Sequence, residues 1–419
     1  MTRLLTVLFC LLLGAVVVFR LQPDADREIG AQARAKEQRL TASQRQRVEH
    51  PALKVRSLGK GLPELGEWRG KPVLRDLNGD GKTDIVCSIR RFDKFKIADG
   101  IHVFLGDGAG GWTPCDQGLS KDMGYGGADA ADLNGDGRPD LVYSGHDLPP
   151  RVFLNFLGYQ GQNEWVGLDH IADLDGVSCS DVALGDFDRD GFPDLAVMGF
   201  FPKTGGLHVM SNQGTGEWKP RQELMPARDY GAIVRFRDLD GDGNVELIAA
   251  TAVGAKTWKY GEAEWIDQSE GLPTTIGVGE ISGIVRGIDA RDIDGDGRAE
   301  LAVSGLPNAS HAPVSLYRRE GDRWAAWGRG LPSGESFFDV VFARVGGAVC
   351  MFLAGQQGVV VVRCAADGAC EVLGRIEGTR GVLNVGAGDI DGDGSDEVLV
   401  VMQKGLRLFA IDAPGSPDK

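Results

Sequence analysis

The chain is short of positive charge: its 419 residues include 45 Lys and Arg against 60 Asp and Glu, and the formal net charge is −15. An acidic chain with no basic patch argues against nucleic acid as a partner. It also lacks a Gly-x-Ser-x-Gly elbow and a His-Glu-x-x-His pair, two arrangements that would announce a serine hydrolase or a zinc protease. Histidine is scarce, at six residues. His146, His170, His208 and His311 invite a catalytic reading, yet they are spread over separate repeats with no shared motif, as expected of surface or hydrogen-bonded residues. Cysteine is nearly as rare, at seven. Cys87, Cys115, Cys179 and Cys350 are scattered, as small buried hydrophobes would be. Cys364 and Cys370 flank an Asp-Gly turn in VVVVRCAADGACEVL, a spacing that suits a hairpin disulfide.

What the chain has in quantity is a repeated acidic loop. DLNGDGKTDIV from Asp76 returns as DLNGDGRPDLV from Asp132, DFDRDGFPDLA from Asp186, DLDGDGNVELI from Asp238, DIDGDGRAELA from Asp292 and DIDGDGSDEVL from Asp389. The starts lie 56, 54, 52, 54 and 97 residues apart. The last interval is close to two periods, so a copy has lost its acidic residues. That copy is FFDVVFARVGGAVCMFLAG, residues 337–355, and it brings the count to seven. Each unit contains four short apolar runs bounded by Gly, Asp and Pro, the last of them usually bearing Trp. Four strands per period of about 50 residues fit a propeller blade. The seventh unit has room for only two strands after its loop, so its fourth is expected from KVRSLGKGLPELGEW near the start, closing the ring and removing an exposed sheet edge.

The loop reads D-x-[DN]-x-D-G-x-x-[DE]. Side-chain oxygens stand at positions one, three, five and nine, and the free choice of residue at position seven suits a backbone carbonyl ligand. A hard cation that takes six to eight oxygens requires this alternation. The predicted ligands are Asp76, Asn78, Asp80, Lys82 and Asp84 in the first loop, and Asp132, Asn134, Asp136, Arg138 and Asp140 in the second. The third supplies Asp186, Asp188, Asp190, Phe192 and Asp194, and the fourth Asp238, Asp240, Asp242, Asn244 and Glu246. Asp292, Asp294, Asp296, Arg298 and Glu300 follow, and Asp389, Asp391, Asp393, Ser395 and Glu397 complete the set. Lys82, Arg138, Phe192, Asn244, Arg298 and Ser395 would act through their carbonyls. An EF-hand needs a Glu at position twelve; here that position is Cys87, Tyr143, Val197, Ala249, Val303 and Val400, so up to six Ca²⁺ in a different setting are predicted. The six loops place 22 carboxylates at ligand positions, and six calcium ions would reduce the formal charge to −3.

These loops, with Gly-Tyr-Gly at 124–126 and phrases such as FLGDGAGGW and SNQGTGEW, resemble the FG-GAP/VCBS repeat family, the calcium-binding propeller repeats also found in integrin α-subunits. The resemblance spans residues 53–413 and implies an all-β fold: a seven-bladed β-propeller with calcium in six blades. The sixth unit departs from the pattern. Ahead of the repeats, MTRLLTVLFCLLLGAVVVFR sets an apolar stretch, Leu4 to Phe19, between Arg3 and Arg20. It reads as a hydrophobic helix, an uncleaved signal-anchor with Arg3 on the cytoplasmic side, ahead of a cleaved signal peptide as the second reading. Residues 21–52 read as a polar linker and 414–419 as a tail. The expected function is that of an exported, membrane-anchored module that binds a protein or glycan on the face opposite the calcium loops, through segments 90–100, 144–151, 199–206, 271–287 and 304–313. A polysaccharide lyase or hydrolase on the same scaffold is the alternative; the sequence shows no catalytic constellation for it.

Overall fold

The computed structural model describes His50 and residues 53–411, except 90–99, 122–125, 146–147, 158–162, 169–170, 201–204, 215–216, 227–228, 275–284 and 306–312. Seven antiparallel four-stranded sheets account for every strand, and the fold is a seven-bladed β-propeller. Six blades take their strands in chain order. The first strands are Trp68–Arg75, Ala128–Ala131, Cys179–Gly185, Gly231–Arg237, Val285–Arg291, Phe337–Val345 and Val382–Gly388. The first strands of neighbouring blades pack on one another to form the inner ring. Among the described residues the one helical element is the 3₁₀ turn Ala172–Leu174, and no helix is long and apolar enough to cross a membrane. Both the hydrophobic segment 1–20 and the linker ahead of His50 lie outside the described residues.

The second strands explain how blades stack. In the six loop-bearing blades they are Asp84–Ile89, Asp140–Gly145, Asp194–Gly199, Glu246–Thr251, Glu300–Gly305 and Glu397–Met402, and every residue in them is buried. Strands buried at every residue, apolar for most of their length, are covered on both faces. One apolar cluster fills each junction between neighbours, including Trp68, Ile85 and Phe104 of the first blade against Leu399, Val401 and Leu408 of the last. The ring is therefore continuous. It is closed as the sequence predicts: Val55–Ser57 is the fourth strand of the last blade, with Val55 opposite Ile411 and Ser57 opposite Phe409.

The strand-four tryptophans act as latches between blades. Trp112 donates its indole N–H to the Leu58 carbonyl at 2.9 Å, Trp165 to Cys115 at 3.0 Å and Trp324 to Gln268 at 3.0 Å, each partner belonging to the preceding blade. In the sixth blade Cys370 takes this place, its backbone N–H bonded to the Arg329 carbonyl at 2.8 Å. Cys364 and Cys370 do lie directly opposite across the third and fourth strands. The expected disulfide is not formed between them: both are thiols, with the sulfurs 3.5 Å apart. Facing register brings the pair together, but a bond requires the sulfurs at about 2.05 Å.

Candidate metal centres

Each acidic loop connects the first strand of a blade to its second, and its geometry is set by its own side chains. The position-one carboxylate is the hub. Asp76 accepts the N–H of Gly79 and of Gly81, both at 2.8 Å; Asp238 accepts from Gly241 at 2.8 Å and Gly243 at 3.0 Å, and Asp389 from Gly392 at 2.8 Å and Gly394 at 3.0 Å. Position five then caps position seven: Asp80 accepts the Lys82 N–H at 2.9 Å, Asp190 that of Phe192 at 2.9 Å and Asp296 that of Arg298 at 2.8 Å. This wrapping drives positions four and six into left-handed backbone, which Gly adopts at little cost. The sixth position is Gly throughout. At the fourth, the third loop has Arg189 at φ 63° where the other five have Gly.

The ninth residue closes the loop from inside the protein. Asp84, Asp140, Asp194, Glu246, Glu300 and Glu397 are all buried, and each begins a second strand. One oxygen of each accepts the N–H of position two, from Leu77 at 2.8 Å in the first loop to Ile390 at 2.8 Å in the last. In the three Asp loops the other oxygen accepts an N–H from the third strand: Gly106 at 2.9 Å, Asn155 at 2.8 Å and Asn212 at 2.9 Å. Burial, reinforced by neighbouring loop carboxylates, outweighs these bonds. It raises Asp84 and Asp140 to about 6 and Asp194, Glu300 and Glu397 to about 7. A cation among the carboxylates would reverse that balance.

Positions one, three and nine converge in four loops. One oxygen from each of Asp186, Asp188 and Asp194 lies within 4.8 Å of the others, as do those of Asp238, Asp240 and Glu246, of Asp292, Asp294 and Glu300, and of Asp389, Asp391 and Glu397. These clusters could hold metal ions. Three close with Glu, whose extra methylene does not keep it from reaching the centre. The first two loops carry Asn78 and Asn134 at position three, so an amide stands where the others have a third carboxylate. Buried oxygens Oδ1 of Asp186 and Oδ1 of Asp188 accept no hydrogen bond, which is the condition expected of atoms meant for a cation.

Sequence reasoning missed a second charged cluster, on the propeller axis. Several residues of the inner strands are ionic and reach across to other blades. Lys71 donates to the Val182 carbonyl two blades away at 2.7 Å and to Val234 at 3.3 Å, with Asp181 at 3.6 Å and Asp129 at 4.0 Å. Arg235 donates to the Ile288 carbonyl at 2.9 Å and to Asp339 at 3.3 Å. Each Asp also accepts the N–H of an inner strand in the following blade: Asp129 from Leu184, Asp181 from Val234 and Asp289 from Phe342, all at 3.0 Å, and Asp339 from Val385 at 3.2 Å. Burial pushes Asp181 up to about 6 although Lys71 opposes it; at Asp289 burial is outweighed by Arg237 and Arg235, and the carboxyl stays below its usual range. The one available signal was an Asp or Arg interrupting an apolar first run, as in CSDVALG or GAIVRFR.

Of the histidines singled out from the sequence, His208 has its ring nitrogen Nε2 2.9 Å from the Gly205 carbonyl; His146, His170 and His311 lie outside the described residues. So do residues 90–99, 146–147, 201–204, 275–284 and 306–312 of the segments expected to carry a ligand on the opposite face.

The FG-GAP-like repeat family matches residues 76–143 and 186–249. Each match starts on a position-one Asp and ends on position twelve of the next loop. FG-GAP-like repeats therefore lie within this seven-bladed propeller. No curated protein matches it. Among solved structures, this FG-GAP propeller is similar to BBS1N in complex with ARL6DN. The lead-soaked form is 13% identical over 88% of this chain and 100% of that one, with a TM-score of 0.50; for the mercury-soaked form the identity is 12% and the TM-score 0.49. An Agrocybe aegerita lectin that specifically recognises non-reducing terminal N-acetylglucosamine matches 80% of this chain and 87% of its own at 16% identity and a TM-score of 0.48. Likeness at these identities concerns fold alone. An FG-GAP propeller is consistent with a binding module.

Proposed function

We propose that this FG-GAP propeller is an exported, membrane-anchored binding module for a protein or glycan, with calcium as a structural ion in its loops. The observation that carries the metal reading is the convergence of carboxylates from positions one, three and nine, together with the buried oxygens of Asp186 and Asp188 that accept nothing. All-oxygen donors at this spacing favour a hard divalent cation, and calcium tolerates the irregular geometry that magnesium rejects. Bound ions would neutralise the loops, fix the entry to each second strand and hold rigid the opposite face, where the blade connections meet the ligand. Export follows from the apolar segment Leu4 to Phe19 and places the loops where calcium is abundant.

Calorimetric titration of the metal-free chain with Ca²⁺ tests the metal reading. Binding of several ions with a raised melting temperature is expected; no heat and an unchanged melting curve would overturn it. The binding-module reading is tested by glycan-array and pull-down screening of the calcium-loaded chain, where a saturable partner is expected. Turnover of a polysaccharide in the screen would replace the module with an enzyme.

A further inference from the structure

The fourth loop differs from the other five in what stands over its carboxylates. Lys259, on the third strand Gly254–Gly261, bends its ammonium onto Asp240, Asp242 at 2.8 Å and Glu246 at 3.2 Å. The ammonium donates hydrogen bonds to Asp240 and Asp242, and Glu246 pairs with it by charge, its Oε1 accepting no hydrogen bond. Two of them, Asp240 and Glu246, belong to the converging group that could hold a metal.

Basic residues approach the other loops, but differently. Lys82 lies 3.9 Å from Asp80, Arg138 2.8 Å from Asp136, Arg221 2.9 Å from Asp188 and Arg56 3.8 Å from Asp391. Among the described residues each of these meets a single carboxylate of its loop. The register explains the contrast. Trp258 faces Leu247, so Lys259 is the next residue on, beside Glu246. At the same register the other loop-bearing blades place Leu105, Leu154, Ser211, Arg318 and Ala410. The one other cation there, Arg318, pairs with Glu320 on its own strand at 3.0 Å.

We propose that the Lys259 ammonium is the resident cation of the fourth loop, so that this blade is held together without calcium while the other loops take it. The inference rests on the calcium reading given above. A dication entering the fourth loop must displace a group tethered to the adjacent strand, which presents itself at high effective concentration, and must then leave that ammonium beside its own charge.

Native mass spectrometry of the full chain equilibrated with Ca²⁺ alone counts the ions directly. Lys259→Met is expected to bind one more ion per chain than wild type, and Lys259→Gln, which removes the charge but keeps polarity, is expected to do the same. Without calcium both variants should melt below wild type. Equal ion counts in wild type and both variants would overturn the proposal while leaving the calcium reading intact. Absence of bound calcium in every form would remove the calcium reading and this inference with it.

Discussion

Blades 6 and 7 stand side by side and connect their first two strands by opposite means. In blade 6, Val345 pairs with Ala348 through Gly346 and Gly347, both with positive φ, the backbone that a tight hairpin requires. Nothing in that turn needs neutralising, and the stretch Val359 to Val362 behind it is wholly apolar and buried. Blade 7 inserts residues 389–396, with Asp389, Asp391, Asp393 and Asp396 ahead of buried Glu397. One blade is finished by backbone geometry, the other by charge. They also touch: Arg344 of blade 6 exchanges backbone hydrogen bonds of 2.6 Å with Asp396, one to its carboxylate and one from its N–H. The lesson is that a propeller blade does not need an ion to form. The acidic loop is an addition to that frame, present in six blades and missing from one.

The sharpest way to break this contrast is to remove the ions and watch each blade. In excess chelator, hydrogen exchange is expected to accelerate in the second strands of the loop-bearing blades other than the fourth and to change little in Glu246–Thr251 and Ala348–Gly355; since each ion held at 100 times its Kd contributes about 2.7 kcal/mol, the melting temperature should fall by roughly 10 °C or more. Uniform acceleration across all seven blades would erase the distinction. Next in size is the axis, which both kinds of blade share. Replacing Arg235 with Met leaves Asp339 and Asp289 without their central partner, and removing one member of a buried charged set costs about 3–5 kcal/mol. Denaturant unfolding should show that loss equally with calcium and with chelator.

A pH series sharpens the comparison further. Without ions, the closing carboxylates hold protons more tightly in the fold than in the unfolded chain. Their contribution is therefore fully present below about pH 4 and is lost as the pH rises through the values near 6 and 7 given for Asp84, Asp140, Asp194, Glu300 and Glu397. Calcium requires the ionised form, so the gap between melting temperatures in calcium and in chelator should widen from pH 5 to pH 7.5; a constant gap would disconnect these carboxylates from the ions. The smallest expected effect is a gain. Arg189→Gly relieves the one non-Gly left-handed residue at position four and should add about 1 kcal/mol, measurable as a higher denaturation midpoint.

Much of this architecture is legible in the amino-acid order because the loops repeat at blade spacing. Asp76 through Glu397 announce the period, the gap before Asp389 exposes the silent sixth unit, and the shortage of strands at the end points back to Val55–Ser57. The tryptophans are visible as a pattern, but not their partners, since the bond runs to the backbone of another blade. Lys259 is further out of reach: only strand register carries it over the carboxylates of its blade. The axial residues are least legible, because Lys71 and Val234 lie 163 positions apart and meet only when the ring has closed.

Ring closure also has a consequence for biosynthesis. The strand Val55–Ser57 leaves the ribosome before every other described strand, yet its partner Gly405–Ile411 leaves after all of them. Until then the earliest segment waits with its hydrogen-bonding groups unmatched, and no chain halted short of that partner can complete the circle.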